Sequence, residues 1–135
     1  LVLSMRDELE EVDVEGHRAW LFREDLAALR RARPTTDVRL LPNFDVYVVG
    51  SHPRASVTPE ASAELVFRKG AWVSPVVTVG GRAVAVWEQR DRRGRTELSV
   101  TPFASLSRDV QHGVREEAER LAAFVGRPVD VSFSV

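Results

Sequence analysis

Two short, turn-forming breaks between Val76 and Val100 constrain this chain more than any other feature. Gly80-Gly81 separates Val76-Val77-Thr78-Val79 from Ala83-Val84-Ala85-Val86-Trp87, and the polar stretch Asp91 to Gly94 separates that run from Glu97-Leu98-Ser99-Val100. Apolar, β-branched runs on either side of a tight turn that tolerates positive φ specify neighbouring antiparallel strands. The three runs are therefore expected to form a meander at the centre of a sheet. Ser105 to Val125 follows, with Leu106, Val110, Val114, Ala118, Leu121 and Val125 recurring every three or four residues, the single apolar stripe of a helix. Ser105 or Ser107 can cap its first turn, Gly126 suits the position after its last, and Pro128 prevents continuation. Val129-Asp130-Val131-Ser132-Phe133 alternates as a final strand. The expected fold class is α+β: a curved antiparallel β-sheet or β-barrel with the long C-terminal helix, residues 105–125, packed on it.

Upstream, Leu1 to Leu9 has apolar positions compatible with the end of a helix. Glu11-Val12-Asp13-Val14, Glu15-Gly16 and His17 to Phe22 read as strand, two-residue turn and strand, with Val12, Val14, Trp20 and Phe22 expected on one buried face. Glu24 to Ala32 is a short amphipathic helix with acids at its start and arginines at its end, stopped by Pro34. A helix remnant followed by a hairpin is how a winged-helix domain ends. Residues 1–34 are accordingly expected to be a wing hairpin and short helix closing such a unit, and residues 35–135 a C-terminal β-rich domain. Within the latter, Val38 to Leu41 is a strand ended by Pro42, Asn43-Phe44-Asp45 a turn, and Val46-Tyr47-Val48-Val49 a nearly continuous buried strand. Gly50 to Ser62, with Pro53 and Pro59, is the longest loop-like stretch. Leu65-Val66-Phe67 leads to a break at Lys69-Gly70.

The chain has 135 residues, the length of one domain, and no cysteine, which excludes a disulfide framework, thiolate zinc sites and a cysteine nucleophile. It has no apolar run of the roughly 18 residues a membrane helix needs, and no basic stretch before an apolar one at the N-terminus. A cytoplasmic protein with no membrane partner is expected. The first residue is Leu1, consistent with a fragment of a larger protein. A net charge of −1 argues against tight nonspecific nucleic-acid binding. The distribution is less neutral: Asp7 to Glu15 is acidic, Arg18 to Arg39 is rich in arginine, and Arg90, Arg92, Arg93 and Arg95 share one short segment. Lys69 is the only lysine. Arginine suits bidentate phosphate contacts, although a GC-rich coding genome produces the same bias.

Few residues invite chemistry. His17, His52 and His112 are dispersed, with no pair at metal-ligand spacing on one element, so no metal or other cofactor is expected. Val79-Gly80-Gly81-Arg82 lacks the Lys-Ser/Thr pair and following helix of a phosphate loop and is a hairpin turn. No Gly-x-Ser-x-Gly elbow occurs. Asp45 suits an Asx-type turn better than a catalytic acid. Trp72 and Trp87 could stack on bases, but Trp87 ends an alternating strand and is expected in the core. No catalytic residue is assigned. Two groups remain as candidate DNA contacts: Arg92, Arg93 and Arg95 at a hairpin tip, and His52 and Arg54 in Ser51-His52-Pro53-Arg54. Against them stands the ordinary role of charged tips and loops, which is to solvate a turn and blunt aggregation.

Leu40-Leu41-Pro42-Asn43-Phe44-Asp45, Ser51-His52-Pro53-Arg54, the run from Val66 to Val77, Gly81-Arg82 and Trp87 form an ordered series. As a set it resembles the C-terminal third of the bacterial winged-helix DNA-binding family that includes AlkZ-like DNA glycosylases, over roughly Glu11 to the end. The resemblance implies preceding winged-helix domains, a C-terminal β-rich domain, duplex DNA as partner, and a parent that excises alkylated or crosslinked purines. That family's catalytic motif, glutamine-x-glutamine or a close variant, lies in its N-terminal part. Gln89 and Gln111 are the only glutamines here, and Glu11-Val12-Asp13 does not match the motif's position. The expected function is thus a DNA-binding accessory domain, inactive alone, of a DNA repair protein. The alternative is a non-catalytic structural or protein-interaction domain with no nucleic-acid role.

Overall fold

The computed structural model describes residues 7–134. They belong to two compact units that divide between Pro34 and Thr35. The helix end expected over Leu1 to Leu9 lies mostly outside the described residues, and Leu9 itself opens a strand. That strand, β1 (Leu9–Val14), pairs antiparallel with β2 (His17–Phe22) through the turn Glu15-Gly16. Both turn residues have positive φ, 52° and 84°, the backbone a twisted two-residue hairpin requires.

This turn corrects the expected buried face. It sets Val14 opposite His17, and therefore Val12 opposite Ala19 and Trp20 opposite Glu11. Directly opposed residues share a face, so Val12 and Val14 project to one side and Trp20 and Phe22 to the other. Val14, Trp20 and Phe22 are all exposed. A single helical turn, Arg23–Asp25, then leads into α1 (Leu26–Arg31).

The second unit is built on a five-stranded sheet. Its strands are β3 (Val38–Leu41), β6 (Val76–Val79), β7 (Arg82–Arg92), β8 (Arg95–Pro102) and β9 (Val129–Phe133), in that spatial order. The meander β6-β7-β8 is antiparallel as expected, with the second turn tightened to Arg93-Gly94. Of the two expected forms, sheet or barrel, the sheet is the one found: it is open, with β3 and β9 as its edges. It is not antiparallel throughout, because β9 runs parallel to β8. The cause is α4 (Arg108–Val125), whose 18 residues span about 27 Å at 1.5 Å each. Such a helix carries the chain back along the sheet, and the next strand must start from the end where β8 began. Ser107 caps α4 by accepting from the Val110 amide at 3.2 Å, and Gly126 ends it in the left-handed region at φ 70°.

Helix α4 covers one face of the sheet. Val77, Ala85, Trp87, Leu98 and Val100 meet Val114, with Leu106 and Leu121 alongside. Gly113 lets the helix approach β3: a Cβ there would lie 2.5 Å from Val38 Cγ2. On the edge strand the free amide of Leu40 donates to Glu117 of α4 at 3.3 Å. The opposite face carries a second cluster, Val48, Val57, Val66, Val73, Val76 and Ala83. Ala83 and Ala85 serve different faces because the register slips at Val77–Thr78, the signature of a bulge.

The segment behind that second cluster departs most from the sequence reading. Val46 to Val49 is not a buried strand but most of a short helix, α2 (Val46–Gly50), started by Asp45, which accepts from the Tyr47 amide at 2.9 Å. Only Val48 of the helix is buried, and Val46 is 85% exposed. Leu65 and Val66 lie in α3 (Ala63–Val66), which runs into a two-residue pair of strands, β4 (Phe67–Arg68) and β5 (Trp72–Val73). Gly50 to Ser62 is packed rather than loose: Val57 and Thr58 are buried, and the Val57 carbonyl accepts from the Ala83 amide at 2.8 Å.

Candidate nucleic-acid interface

The structure does not bring the two expected contact groups together. Arg54 belongs to the segment that packs near the start of β7, whereas Arg92, Arg93 and Arg95 surround its far end. Arg92 lies six positions beyond Val86, which borders the second cluster. At about 3.3 Å per residue the separation along the strand is about 20 Å.

The tip is a lattice of ion pairs. Arg92 Nε lies 3.1 Å from Glu97 Oε2, Arg95 reaches Glu97 at 3.5 Å and Asp130 at 3.6 Å, and Arg90 reaches Glu88 at 3.6 Å. Exposed pairs of this kind contribute little to stability, but a phosphate would have to compete with Glu97 for two of the three predicted arginines. Arg93, beside Gly94 at the turn, takes part in none of these pairs. On the α4 side of the same tip, Asp91 accepts from Arg127 at 2.5 Å, Gln89 at 3.1 Å and Thr96 at 3.1 Å. These bonds, the one from Arg127 foremost, lower the Asp91 pKa from its ordinary 3.8.

At the other end the cations have different neighbours. The Arg54 guanidinium lies over the Phe67 ring, 4.3 Å from its centroid, a cation–π contact that leaves its N–H edges available. His52 is exposed, in a cis peptide with Pro53. Arg68 and Lys69, next along the chain from Phe67, are exposed and enter no ion pair among the described residues. Arg68 stands opposite Trp72 in the β4–β5 pair. Trp72 and Phe44 form a T-shaped pair with centroids 5.1 Å apart, yet Trp72 is 44% and Phe44 46% exposed. Both rings depend on left-handed backbone: φ is 58° at Phe44 itself and 58° at Ala71, immediately before Trp72. Outside glycine such conformations cost about 1 kcal/mol or more each.

Beside Trp72 an open cleft of about 600 Å³ lies over β7 and β8, lined by Asn43, Glu64, Arg68, Val86, Glu88 and Gln89 among others. Trp87 is where the sequence places it, in the core, its indole N–H shared between the carbonyls of Leu41 at 3.0 Å and Val76 at 3.2 Å. Sequence reasoning points to Trp72 but misses Phe44, Arg68 and Lys69 as its neighbours. Phe44 carries only a turn signal, and nothing local shows that the turn after β3 and the turn before β5 meet. Among the described residues no group of histidines and carboxylates could hold a metal ion, and no helix is long and apolar enough to cross a membrane.

The open sheet thus has one helix-covered face and a second face bearing exposed aromatic rings and arginines. The chain belongs to the DNA glycosylase AlkZ-like family, whose model matches residues 2–124. It is 41% identical over 125 residues to the interstrand DNA cross-link repair glycosylase of Streptomyces sahachiroi, a match covering 91% of this chain and 32% of that protein. The solved structure of the Streptomyces sahachiroi DNA glycosylase AlkZ superimposes with a TM-score of 0.84 at 38% identity, over 97% of this chain and 35% of that one. The chain therefore spans about a third of the length of the relatives it matches.

Proposed function

We propose that this chain is a DNA-contacting, non-catalytic part of a DNA repair glycosylase of the AlkZ-like type, acting on alkylated or crosslinked bases only when joined to the rest of its parent. The observation that carries this reading is the family match along almost the whole chain, to a third of a relative named for cross-link repair. In this reading residues 1–34 close a winged-helix unit, with β1–β2 as its wing, residues 35–135 form the C-terminal domain, and the protein works in the cytoplasm of a bacterium. His52 and Arg54 contact DNA at one end of β7, and Arg92, Arg93 and Arg95 at the other, with Arg93 in no ion pair among the described residues.

Fluorescence anisotropy with a labelled duplex at two salt concentrations tests this. Binding is expected to be weak and to fall with salt, by about 0.9 in log K per unit of log salt for each phosphate neutralised. Replacing Arg93, or His52 and Arg54 together, by Ala reduces that slope. The purified chain releases no base from alkylated or crosslinked DNA. Excision that a substitution such as Asp45→Asn abolishes overturns the non-catalytic reading. Absence of duplex binding at low salt turns the choice to a second reading, a structural or protein-docking domain. The exposed apolar side chains of Val46, Val49 and Leu65, together with the acid-paired tip, favour that alternative.

A further inference from the structure

Three observations converge on Trp72. Its ring and that of Phe44 are exposed and held edge to face, an arrangement that leaves aromatic surface open to a flat ligand. Arg68 and Lys69 project beside it without acid partners among the described residues, and Arg54 lies close by over Phe67. Two open clefts share Trp72 and Arg68 in their walls, one of them about 600 Å³ and bordered by Asn43. That volume lies within the range of about 300–1,000 Å³ common for small-ligand sites. The two carboxylates in these walls do not cancel the cations. Glu88 is held by Arg90 at 3.6 Å, which leaves Glu64 alone against Arg68 and Lys69.

Exposed aromatic faces beside unpaired cations suit an anionic ligand that has flat rings of its own. A duplex presents phosphates and base edges, but its base faces are already stacked on one another. An unstacked strand offers phosphates and free base faces together, the combination that single-strand sites use. We propose that the Phe44–Trp72 shelf binds an unstacked nucleotide of single-stranded DNA, its base against Trp72, its edge toward Asn43, and its phosphates on Arg68 and Lys69. The proposal rests on the DNA-contacting reading above and assigns to that surface a ligand which the tip arginines do not share.

The test uses the full chain, a short single-stranded oligonucleotide of mixed sequence and a duplex of the same sequence, each titrated at two salt concentrations. Tryptophan fluorescence should be quenched by the single strand, and Trp72→Phe should remove most of that quenching. Trp72→Ala should weaken single-strand binding roughly 5- to 150-fold, the range for loss of one stacked base. Arg68→Ala combined with Lys69→Ala should reduce the salt slope by about 0.7 for each phosphate that is no longer neutralised. Thermal melts of each variant, and Phe44→Leu as a milder change, separate loss of binding from loss of fold. Single-strand affinity unchanged by Trp72→Ala overturns the proposal. Duplex binding without single-strand binding also overturns it and leaves the DNA reading standing, whereas binding of neither removes both. A dimer in solution that Trp72→Ala dissolves shows the shelf to be covered by a second copy, and equally overturns it.

Discussion

The two faces of the five-stranded sheet are made from the same strands and do different work. The face under α4 is apolar and closed: Trp87, Leu98 and Val100 meet Val114 with almost no solvent between them. The other face is closed only where α2, α3 and the segment around Val57 pack on it. Beyond that cover the strands carry Glu88, Arg90, Arg92, Arg95 and Glu97, and the cover's rim carries Trp72, Arg68 and Lys69. The difference lies in what each side chain finds opposite it. Arginines on the bare strands find carboxylates along their own strand or across the ladder and are paired there. Those at the rim find aromatic rings and keep their charge for something else. Clustering of arginine along a chain is therefore a poor guide to available charge, because strand register decides which acids reach it.

The closed face should be the stability-bearing one, and the largest effect is expected at its centre. Trp87→Ala removes a buried ring and leaves the Leu41 and Val76 carbonyls without their indole donor. A loss of about 3–5 kcal/mol is expected in urea denaturation. Gly113→Ala should follow. In an ordinary helix interior this change stabilises by about 1 kcal/mol, but here the new methyl would meet Val38, a stiff β-branched side chain, at 2.5 Å. A net loss of about 1–3 kcal/mol is expected. A stabilised Gly113→Ala protein would show that α4 does not press on β3, and the contrast between a closed and an open face would weaken.

How far these features are legible in the sequence follows the range of the interactions that set them. The meander, α4 with both of its caps, and the burial of Trp87 are legible because each is specified by residues within a few positions. The parallel β9 is implied by the length of α4, although alternation alone does not show it. Val46-Tyr47-Val48-Val49 misleads because β-branched residues favour strands, while Asp45, able to cap a helix, decides the outcome locally. Val12 and Trp20 look like one face by alternation, although the two-residue turn between their strands forbids it. The shelf is illegible for another reason: Phe44 and Trp72 lie 28 positions apart, and only the folded backbone brings them into contact. The tip arginines are visible in the sequence, but Asp130, the partner of Arg95 on β9, is not.

On the open face, changes in binding should exceed changes in stability. Glu97→Gln releases Arg92 and Arg95 from their shared acid, and exposed pairs contribute about 1 kcal/mol at most. Its urea midpoint should move little. Duplex affinity should rise, and the salt slope should steepen by up to about 0.9 for each arginine that gains a phosphate. An unchanged slope would mean that the tip arginines solvate the turn and nothing more, and would leave the rim as the cationic surface.

The smallest expected effect lies where the two faces meet, at Asp91. Arg127 donates to its carboxylate, with Gln89 and Thr96, and holds its pKa below the ordinary 3.8. A depressed carboxylate pKa adds stability that is complete above the unfolded value of about 3.9 and fades as pH falls through the lower folded value. Around neutral pH, therefore, Asp91 confers no pH dependence, and duplex binding by the tip should not vary there on its account. Below about pH 4 the wild-type chain should lose this contribution, whereas Asp91→Asn should lack it at every pH. The carboxyl resonance of Asp91, followed by NMR through acid titration, should have its midpoint below 3.8 and move upward in Arg127→Ala, because the main cause of the depression is then gone. If the midpoint stays where it is, Arg127 does not hold Asp91 in solution. The tip would then be anchored by Gln89, Thr96 and the strand ladder, and its two sides would differ less than their ion pairs suggest.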